Sequence, residues 1–120
     1  MREPRPYDLL SMAGNAAHIV PATGAKGLNL AVADVRVLSS ALDSFYRTGS
    51  PAALASYSES CLRRVWRAQH FSYWMTTMLH RFPTDDAYQR KLQLAQLRWV
   101  SSSRAAAASL AENYVGIVSV

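Results

Sequence analysis

Apolar residues recur at alternating steps of three and four positions between residues 27 and 47. This period of about 3.6 residues predicts an amphipathic helix with one buried side. Asp34, Arg36, Asp43 and Arg47 fall off that stripe. Thr48-Gly-Ser-Pro51 ends the helix, since proline suits the first turn of a following helix. The predicted buried stripe consists of Leu28, Ala31, Val35, Leu38, Leu42 and Phe45.

A second helix is predicted over residues 51–79, where bulky apolar residues again follow a helical period. Arg81-Phe-Pro-Thr84 ends it, because proline cannot continue a helix. Trp66, Tyr73 and Trp74 lie outside the main stripe and are expected to cover other parts of the molecule. The predicted buried side consists of Leu54, Tyr57, Cys61, Val65, Ala68, Met75 and Leu79.

Two shorter helices complete the pattern. The third helix is predicted over residues 85–100, with Thr84–Asp86 as its N-terminal cap. Ser101–Ser103 separates it from an alanine-rich fourth helix over residues 104–113, which Gly116 ends. The apolar stripe of the third helix consists of Tyr88, Leu92, Ala95 and Trp99.

The segment Leu9–Ala13 is short and apolar, which predicts a buried β-strand. A lone strand cannot satisfy its own backbone hydrogen-bonding groups, so we expect its partner strands to be missing from this chain. The fold class predicted from the pattern is mainly α, with one short N-terminal strand followed by about four helices.

Composition places the chain among ordinary globular proteins. Of its 120 residues, 50% are hydrophobic and 18% are charged, a balance that excludes an intrinsically disordered chain. No apolar run reaches the length of a membrane span, and residues 1–6 lack the apolar stretch of a secretion signal. The single cysteine, Cys61, excludes an internal disulfide and predicts a reducing, cytoplasmic location.

The net charge of +5 makes a nucleic-acid binder one alternative. No zinc-finger spacing, RNA-binding string or helix-turn-helix punctuation accompanies the charge, so we interpret it as a solvated or interdomain helix face. Neither nucleic acid nor a membrane is therefore expected as a partner. His18, His70 and His80 do not form a metal site, because no carboxylate or cysteine completes a ligand set. The basic residues concentrate in the helical part, at Arg63, Arg64, Arg67, Arg81, Arg90, Lys91, Arg98 and Arg104.

The most informative segment is GNAAHIVPATGAKGLNL, from Gly14 to Leu30. It places a polar, glycine-containing loop between strand-like residues and the start of a long helix. Such a loop brings backbone N–H groups close to a ligand, and the helix N-terminus adds a partial positive charge. The chemistry predicts an anion or an electron-rich ring bound at the helix start. A phosphate loop is excluded, because the pattern GxxxxGK[ST] is not satisfied.

This string closely resembles the second flavin-contact motif of the class-A flavoprotein aromatic hydroxylases. Three further segments resemble the same family in the same order: Glu3-Pro4, the stretch Cys61–Pro83, and Ala111–Gly116. The resemblance implies the C-terminal portion of an α/β, Rossmann-like FAD-binding fold. Residues 1–25 would form the strand and the flavin and substrate loop, and residues 26–120 a C-terminal helical segment. The GxGxxG dinucleotide-binding part of the family has no match in this chain.

The activity implied by the resemblance is hydroxylation of 4-hydroxybenzoate or a related phenolic acid. FAD would be the cofactor and NADPH or NADH the co-substrate. Without the GxGxxG part, the chain by itself is expected to be inactive. The resemblance also implies a homodimer through the C-terminal helices. The alternative is a standalone helical interaction or dimerisation module without catalysis.

The resemblance implies a set of cofactor-binding residues at the loop and the helix start. Asn15 stands where the family has an aspartate that accepts hydrogen bonds from the ribityl chain of the flavin. Asparagine keeps one carbonyl acceptor but lacks the charge, so weaker FAD binding is expected. Outside this motif, Asn15 would be an ordinary turn residue and Lys26 an exposed lysine. The implied set is Gly14, Asn15, Lys26, Gly27, Leu28 and Asn29.

The implied substrate-binding residues are Pro21, Ala22, Thr23 and Ala25. Ala22 replaces a second proline of the family, whose backbone carbonyl faces the substrate hydroxyl. The carbonyl is retained, but the fixed φ angle of proline is lost. Tyr114 matches a tyrosine of the proton network that deprotonates the phenol. Its alternative role is packing against a helix.

Overall fold

The computed structural model describes residues 6–7 and 10–116, and over these residues the chain is mainly helical, as predicted. A short antiparallel pair of strands and one 3-10 turn at Gly14–Ala16 precede the helices. The strands are β1 (Pro6–Tyr7) and β2 (Leu10–Ser11), and the helices are α1 (Gly27–Thr48), α2 (Ala52–Ala55), α3 (Tyr57–Leu79), α4 (Ala87–Ser102) and α5 (Arg104–Val115).

The predicted strand is present at Leu10–Ser11, but two of its predicted properties are wrong. It has a partner within this chain, because β1 pairs with it in the register Pro6 to Ser11 and Tyr7 to Leu10. It is also not buried, since Leu10 is 60% exposed. A local hairpin is enough to give the strand backbone hydrogen-bond partners. Burial, in contrast, requires a second layer that packs on the strand. Met12 and Ala13 of the predicted strand are not part of β2, and Leu9 lies outside the described residues.

Helix α1 begins at Gly27 as predicted and ends at Thr48, where Gly49 adopts the left-handed conformation of a helix C-cap. Its predicted buried stripe is wrong. Leu28 is 76% exposed, and Val35 and Leu42 are exposed as well. The buried residues of the helix are Leu30, Asp34 and Ala41, which face the loop and the next helices.

The predicted second helix divides into α2 and α3 at Ser56, whose N–H bonds to the Ala52 carbonyl. Tyr57, Cys61 and Val65 are fully buried, as predicted, and the Tyr57 hydroxyl donates to the Met12 carbonyl at 2.8 Å. This bond ties the chain that follows the hairpin to α3. Leu79, at the end of the predicted stripe, is exposed, because the chain turns away at His80.

Helix α4 begins one residue after Asp86, which alone acts as its N-cap. Asp86 and Gln89 form a capping box with bonds of 2.8 and 2.9 Å. The predicted apolar stripe of α4 is exposed, because no residue of this helix is buried and Trp99 is 57% exposed. The side of α4 that contacts the rest of the molecule carries Leu97 and Val100 instead.

A hydrophobic core lies between α3, α4 and α5. Three residues of α3 form it, namely Phe71, Met75 and Met78. Helix α5 contributes Leu110 and ends at Gly116, as predicted, with left-handed backbone at the cap. Trp74, Leu97 and Val100 cover the cluster and are half-buried.

The molecule is elongated, with extents of 58 × 31 × 18 Å and a radius of gyration of 18.0 Å. A compact chain of this length has a radius of gyration of roughly 14 Å. The accessible surface of 8596 Å² exceeds the roughly 6,500 Å² of a compact protein of the same mass. The exposed apolar stripes of α1 and α4 are part of this excess.

Candidate functional site

The loop between the hairpin and α1 packs closely on α1 through Gly14. Gly14 is buried and has a φ of +60°. A Cβ at this position would lie 3.1 Å from the Cβ of Ala31, so the close approach requires glycine. The 3-10 turn that starts here is closed by the Gly14 carbonyl, which accepts from the N–H groups of Ala17 and His18.

A buried carboxylate on α1 fixes the same turn. Asp34 is 1% exposed, and its Oδ2 accepts from the Gly14 N–H at 3.1 Å and from His18 Nε2 at 2.9 Å. His18 must carry its proton on Nε2 for this bond, since a carboxylate can only accept. Asp34 is therefore buried, although it lies off the predicted apolar stripe. It faces the loop because it lies four residues after Leu30, on the buried side of the helix.

Helix α3 supports the second half of the loop at three points. Gln69 donates from Nε2 to the Ile19 carbonyl at 2.7 Å, and the hydroxyls of Thr23 and Thr76 are hydrogen-bonded at 2.8 Å. Gly24, with a φ of +91°, lies against the ring of Phe71, where an added Cβ would come within 3.2 Å of a ring carbon. Side chains of α3 thus hold the second half of the loop in place.

The predicted substrate segment forms a tight turn. The Ala25 N–H donates to the Ala22 carbonyl at 3.0 Å, and Ala25 has a φ of +51°. The Ala22 carbonyl, predicted to face a substrate hydroxyl, therefore already accepts one bond and keeps one lone pair. Ala22 and Ala25 are exposed, whereas Pro21 and Thr23 are half-buried.

Helix α1 starts without a side-chain cap. Lys26 occupies the N-cap position, and the first turn contains no acidic residue. The N–H groups of Gly27, Leu28 and Asn29 have no acceptor among the residues that the structure describes. Leu28 and Asn29 are exposed, so these donors are accessible to a ligand. Three free donors and the positive end of a helix dipole together favour an acceptor-rich or anionic group.

Lys26 and Tyr114 meet, although 88 residues separate them. The Lys26 ammonium donates to the Tyr114 carbonyl and lies 5.4 Å from the centre of the Tyr114 ring and 5.6 Å from that of Phe71. Burial lowers the pKa of the Lys26 ammonium below its usual value. The alternative of an exposed lysine is therefore wrong. The Tyr114 ring itself is half-exposed at the end of α5.

Asn15 is exposed on the 3-10 turn, and its side chain has no hydrogen bond to another described residue. Next to the start of α1 lies an open cleft of about 810 Å³ between α1, α3 and the end of α5. Lys26 and Asn29 line one end of this cleft, and the remaining lining carries several arginines but no carboxylate. The charged lining residues besides Lys26 are Arg36, Arg63, Arg64 and Arg67.

Residues 6–7 and 10–116 contain neither a candidate metal site nor a helix that could span a membrane. No group of three or more histidine, cysteine, aspartate or glutamate side chains in this part of the chain could hold a metal ion. None of the helices described there is long and apolar enough to cross a membrane.

The sequence reasoning missed the residues that hold the loop in place. The histidine spacing excludes a metal site but indicates no other partner for His18, and Asp34 lies off the predicted apolar stripe. The sequence does contain an indication of a buried Asp34. Leu30, Asp34 and Ala41 are spaced so that they share one side of the helix, and Asp34 is the one acidic residue among them. A lone acid on an otherwise apolar side indicates a buried polar partner. Gln69 and Thr76 carry no comparable signal in the sequence.

Comparison with known proteins identifies similar sequences. A family model described as FAD binding domain matches residues 3–72. The chain is also 53% identical over 115 residues to the p-hydroxybenzoate hydroxylase of Acinetobacter baylyi (strain ATCC 33305 / BD413 / ADP1). The alignment covers 96% of this chain and 28% of that relative. The chain therefore spans a little more than a quarter of the length of this relative.

Proposed function

Because this chain belongs to the FAD binding domain family, we propose that it forms the flavin- and substrate-facing part of an aromatic monooxygenase. The proposed substrate is 4-hydroxybenzoate or a related phenolic acid, which follows from the similarity to p-hydroxybenzoate hydroxylase. When bound, FAD supplies the redox chemistry that takes electrons from NADPH or NADH and uses O₂ to hydroxylate the ring. In this proposal, residues 1–25 form the flavin and substrate loop and residues 26–120 the supporting helical segment.

The observation that carries the proposal is the uncapped start of α1. The free N–H groups of Leu28 and Asn29, with the Asn29 side-chain amide, form a donor set at the positive end of a helix. The pyrimidine edge of a flavin carries nitrogen and oxygen acceptors and holds negative charge when the ring is reduced. The donor set therefore fits FAD, and it would stabilise that charge without rearrangement. Lys26, next to the helix start, adds positive charge to the same field.

The loop presents a second group of cofactor contacts. We assign Gly14 and Asn15 to the ribityl chain, because Asn15 is exposed with an unused carbonyl acceptor and Gly14 packs the turn that carries Asn15 closely against α1. Gly27 would allow the flavin ring to approach the helix start. An amide in place of a carboxylate makes this contact weaker than a charge-assisted one.

On the substrate side, we assign Pro21, Ala22, Thr23 and Ala25 to the wall of the substrate pocket. The Ala22 carbonyl keeps one lone pair for a phenolic hydroxyl, and the bond between Ala25 and Ala22 fixes its direction in place of the proline ring. Tyr114 is assigned to the proton network of the phenol. Its backbone is held at the helix start by Lys26, which keeps the exposed ring near the loop.

A homodimer through the helical segment is the second part of the proposal. An open groove of about 850 Å³ lies between α3 and α4. Tyr73, Phe82, Leu92 and Trp99 line it and are all exposed. An exposed aromatic groove of this kind favours a protein partner. The same groove supports the alternative of a helical interaction module without catalysis. The single cysteine fits a reducing, cytoplasmic location, which we also propose.

A chimaeric enzyme tests the proposed function. This chain would replace the aligned part of the Acinetobacter p-hydroxybenzoate hydroxylase, and FAD binding and 4-hydroxybenzoate hydroxylation would be measured. We expect bound FAD and product formation in the chimaera. Asn29→Ala should weaken FAD binding several-fold, as the loss of about one hydrogen bond, whereas Ser39→Ala on the exposed side of the same helix should leave it unchanged. A folded chimaera that binds no FAD would contradict the proposal and favour the interaction module.

A further inference from the structure

The buried carboxylate of Asp34 makes contacts that the proposed function leaves unexplained. Asp34 and His18 are both buried, with side-chain exposures of 1% and 0%, so neither can touch a ligand in this conformation. A buried polar pair seldom stabilises a protein more than well-packed apolar residues of similar volume. The stability of the fold therefore does not by itself explain why this pair lies between the loop and α1.

The geometry of the pair indicates a different role. Asp34 Oδ2 bonds to the Gly14 N–H and to the ring of His18, and these two groups flank Asn15 on both sides. The Gly14 carbonyl closes the same turn from within, through the N–H of Ala17 at 2.9 Å and that of His18 at 3.0 Å. One carboxylate on a rigid helix thus fixes both ends of a turn of five residues, and Asn15 points outward from it.

We propose that His18 and Asp34 are positioning residues that orient Asn15 towards the ribityl chain of the cofactor. This inference rests on the proposed function. Asn15 has no hydrogen bond of its own to another described residue, so its direction depends on the backbone of the turn. Because α1 also presents the donors at its N-terminus, Asp34 places the Asn15 contact and the helix-start contact in one rigid unit.

The first test does not involve FAD. Hydrogen exchange of the turn, residues 14–18, is measured in the chain as it is and in two variants. His18→Gln retains an N–H donor close to the position of Nε2, whereas His18→Leu removes it. We expect faster exchange in His18→Leu and nearly unchanged exchange in His18→Gln. Equal exchange in all three chains would show that the pair does not hold the turn and would overturn the inference.

The second test measures FAD dissociation constants in the chimaera described above. We expect His18→Leu to weaken binding about tenfold and His18→Gln to restore most of the loss. The decisive measurement is a double-mutant cycle with Asn15→Ala. If His18 acts through Asn15, the double variant His18→Leu/Asn15→Ala binds FAD no more weakly than whichever of the two single variants binds FAD more weakly. Additive losses would mean that the pair only stabilises the fold, and the inference would be wrong.

The two tests separate this inference from the proposed function. If the unsubstituted chimaera binds no FAD, the proposed function fails and the inference about Asn15 fails with it. If the chimaera binds FAD but the cycle is additive, the proposed function stands and only the positioning role is lost. Thermal melting of each variant is measured alongside. A His18→Leu variant that unfolds is replaced in the cycle by His18→Asn, whose shorter amide cannot reach the carboxylate.

Discussion

At the scale of single residues, the loop contains two kinds of position. Asn15 and Ala22 are exposed, whereas Gly14, His18 and Gly24 are in contact with α1 or α3. The sequence string was enough to locate the loop and the start of α1. It could not reveal the bond between His18 and Asp34, because that bond depends on which side of α1 is buried.

Asn15→Asp in the chimaera should strengthen FAD binding by roughly 1–2 kcal/mol, since a charged acceptor replaces a neutral one. Titration of the apoprotein with FAD, followed by flavin fluorescence, gives the dissociation constant. Ser40→Asp, at an exposed position in the second half of α1, serves as the control for adding a negative charge elsewhere. An unchanged or larger dissociation constant for Asn15→Asp would show that this side chain does not face the ribityl chain.

Gly14→Ala should lower the free energy of unfolding by about 2 kcal/mol or more, because a positive φ and a close contact are both violated. The added Cβ would lie 3.1 Å from the Ala31 side chain. Gly49→Ala is the matched control. Gly49 also has a positive φ, of +72°, but a Cβ there meets nothing within 4 Å. Urea unfolding of the two variants would separate the steric contact from the backbone strain, and equal losses would contradict the importance of the contact.

At the scale of elements, helix existence and most helix ends follow from periodicity and from capping residues. The buried side of α1 does not, because the helix carries two competing stripes. The stripe of larger residues, which includes Leu28 and Val35, is exposed, and the smaller one, which includes Asp34, is buried. Periodicity shows that a side is apolar but not which partner covers it. The same reason explains the exposed stripe of α4.

The groove between α3 and α4 yields a prediction about association. Trp99→Lys should weaken self-association at least tenfold, because it places a charge in an exposed aromatic groove. Its melting temperature should change little, since Trp99 is not part of the buried core. Sedimentation velocity over a dilution series measures the effect. Tyr46→Lys removes an exposed aromatic residue outside the groove and should leave association unchanged. Equal behaviour of the two variants would exclude the groove as the interface.

At the scale of the whole molecule, the large surface and the elongated shape indicate apolar faces without partners. The chain by itself should therefore show a strong helical circular dichroism signal, bind a hydrophobic dye and self-associate at micromolar concentration. Dye fluorescence and light scattering measure the last two properties. A monomer that binds no dye and melts sharply would mean that the exposed stripes of α1 and α4 are covered in solution.

The same chain, purified alone, should bind FAD more weakly than micromolar and show no hydroxylase activity. It spans 28% of the length of the relative, and no GxGxxG string for the ADP half of FAD occurs in its sequence. Quenching of flavin fluorescence by increasing amounts of the chain measures the affinity. Binding at micromolar concentration or tighter would show that the loop and the start of α1 suffice for FAD.

The division of the loop into exposed and packed positions has a consequence for evolutionary drift. Substitutions at Asn15 and Ala22 alter exposed side chains, so they leave the packing of the loop intact. Selection for folding alone would not oppose them, whereas it would oppose changes at Gly14 or Gly24, which lie against Ala31 and Phe71. A descendant could therefore lose the ability to bind its ligand while keeping its fold. Its melting temperature would then be unchanged, although binding had been lost.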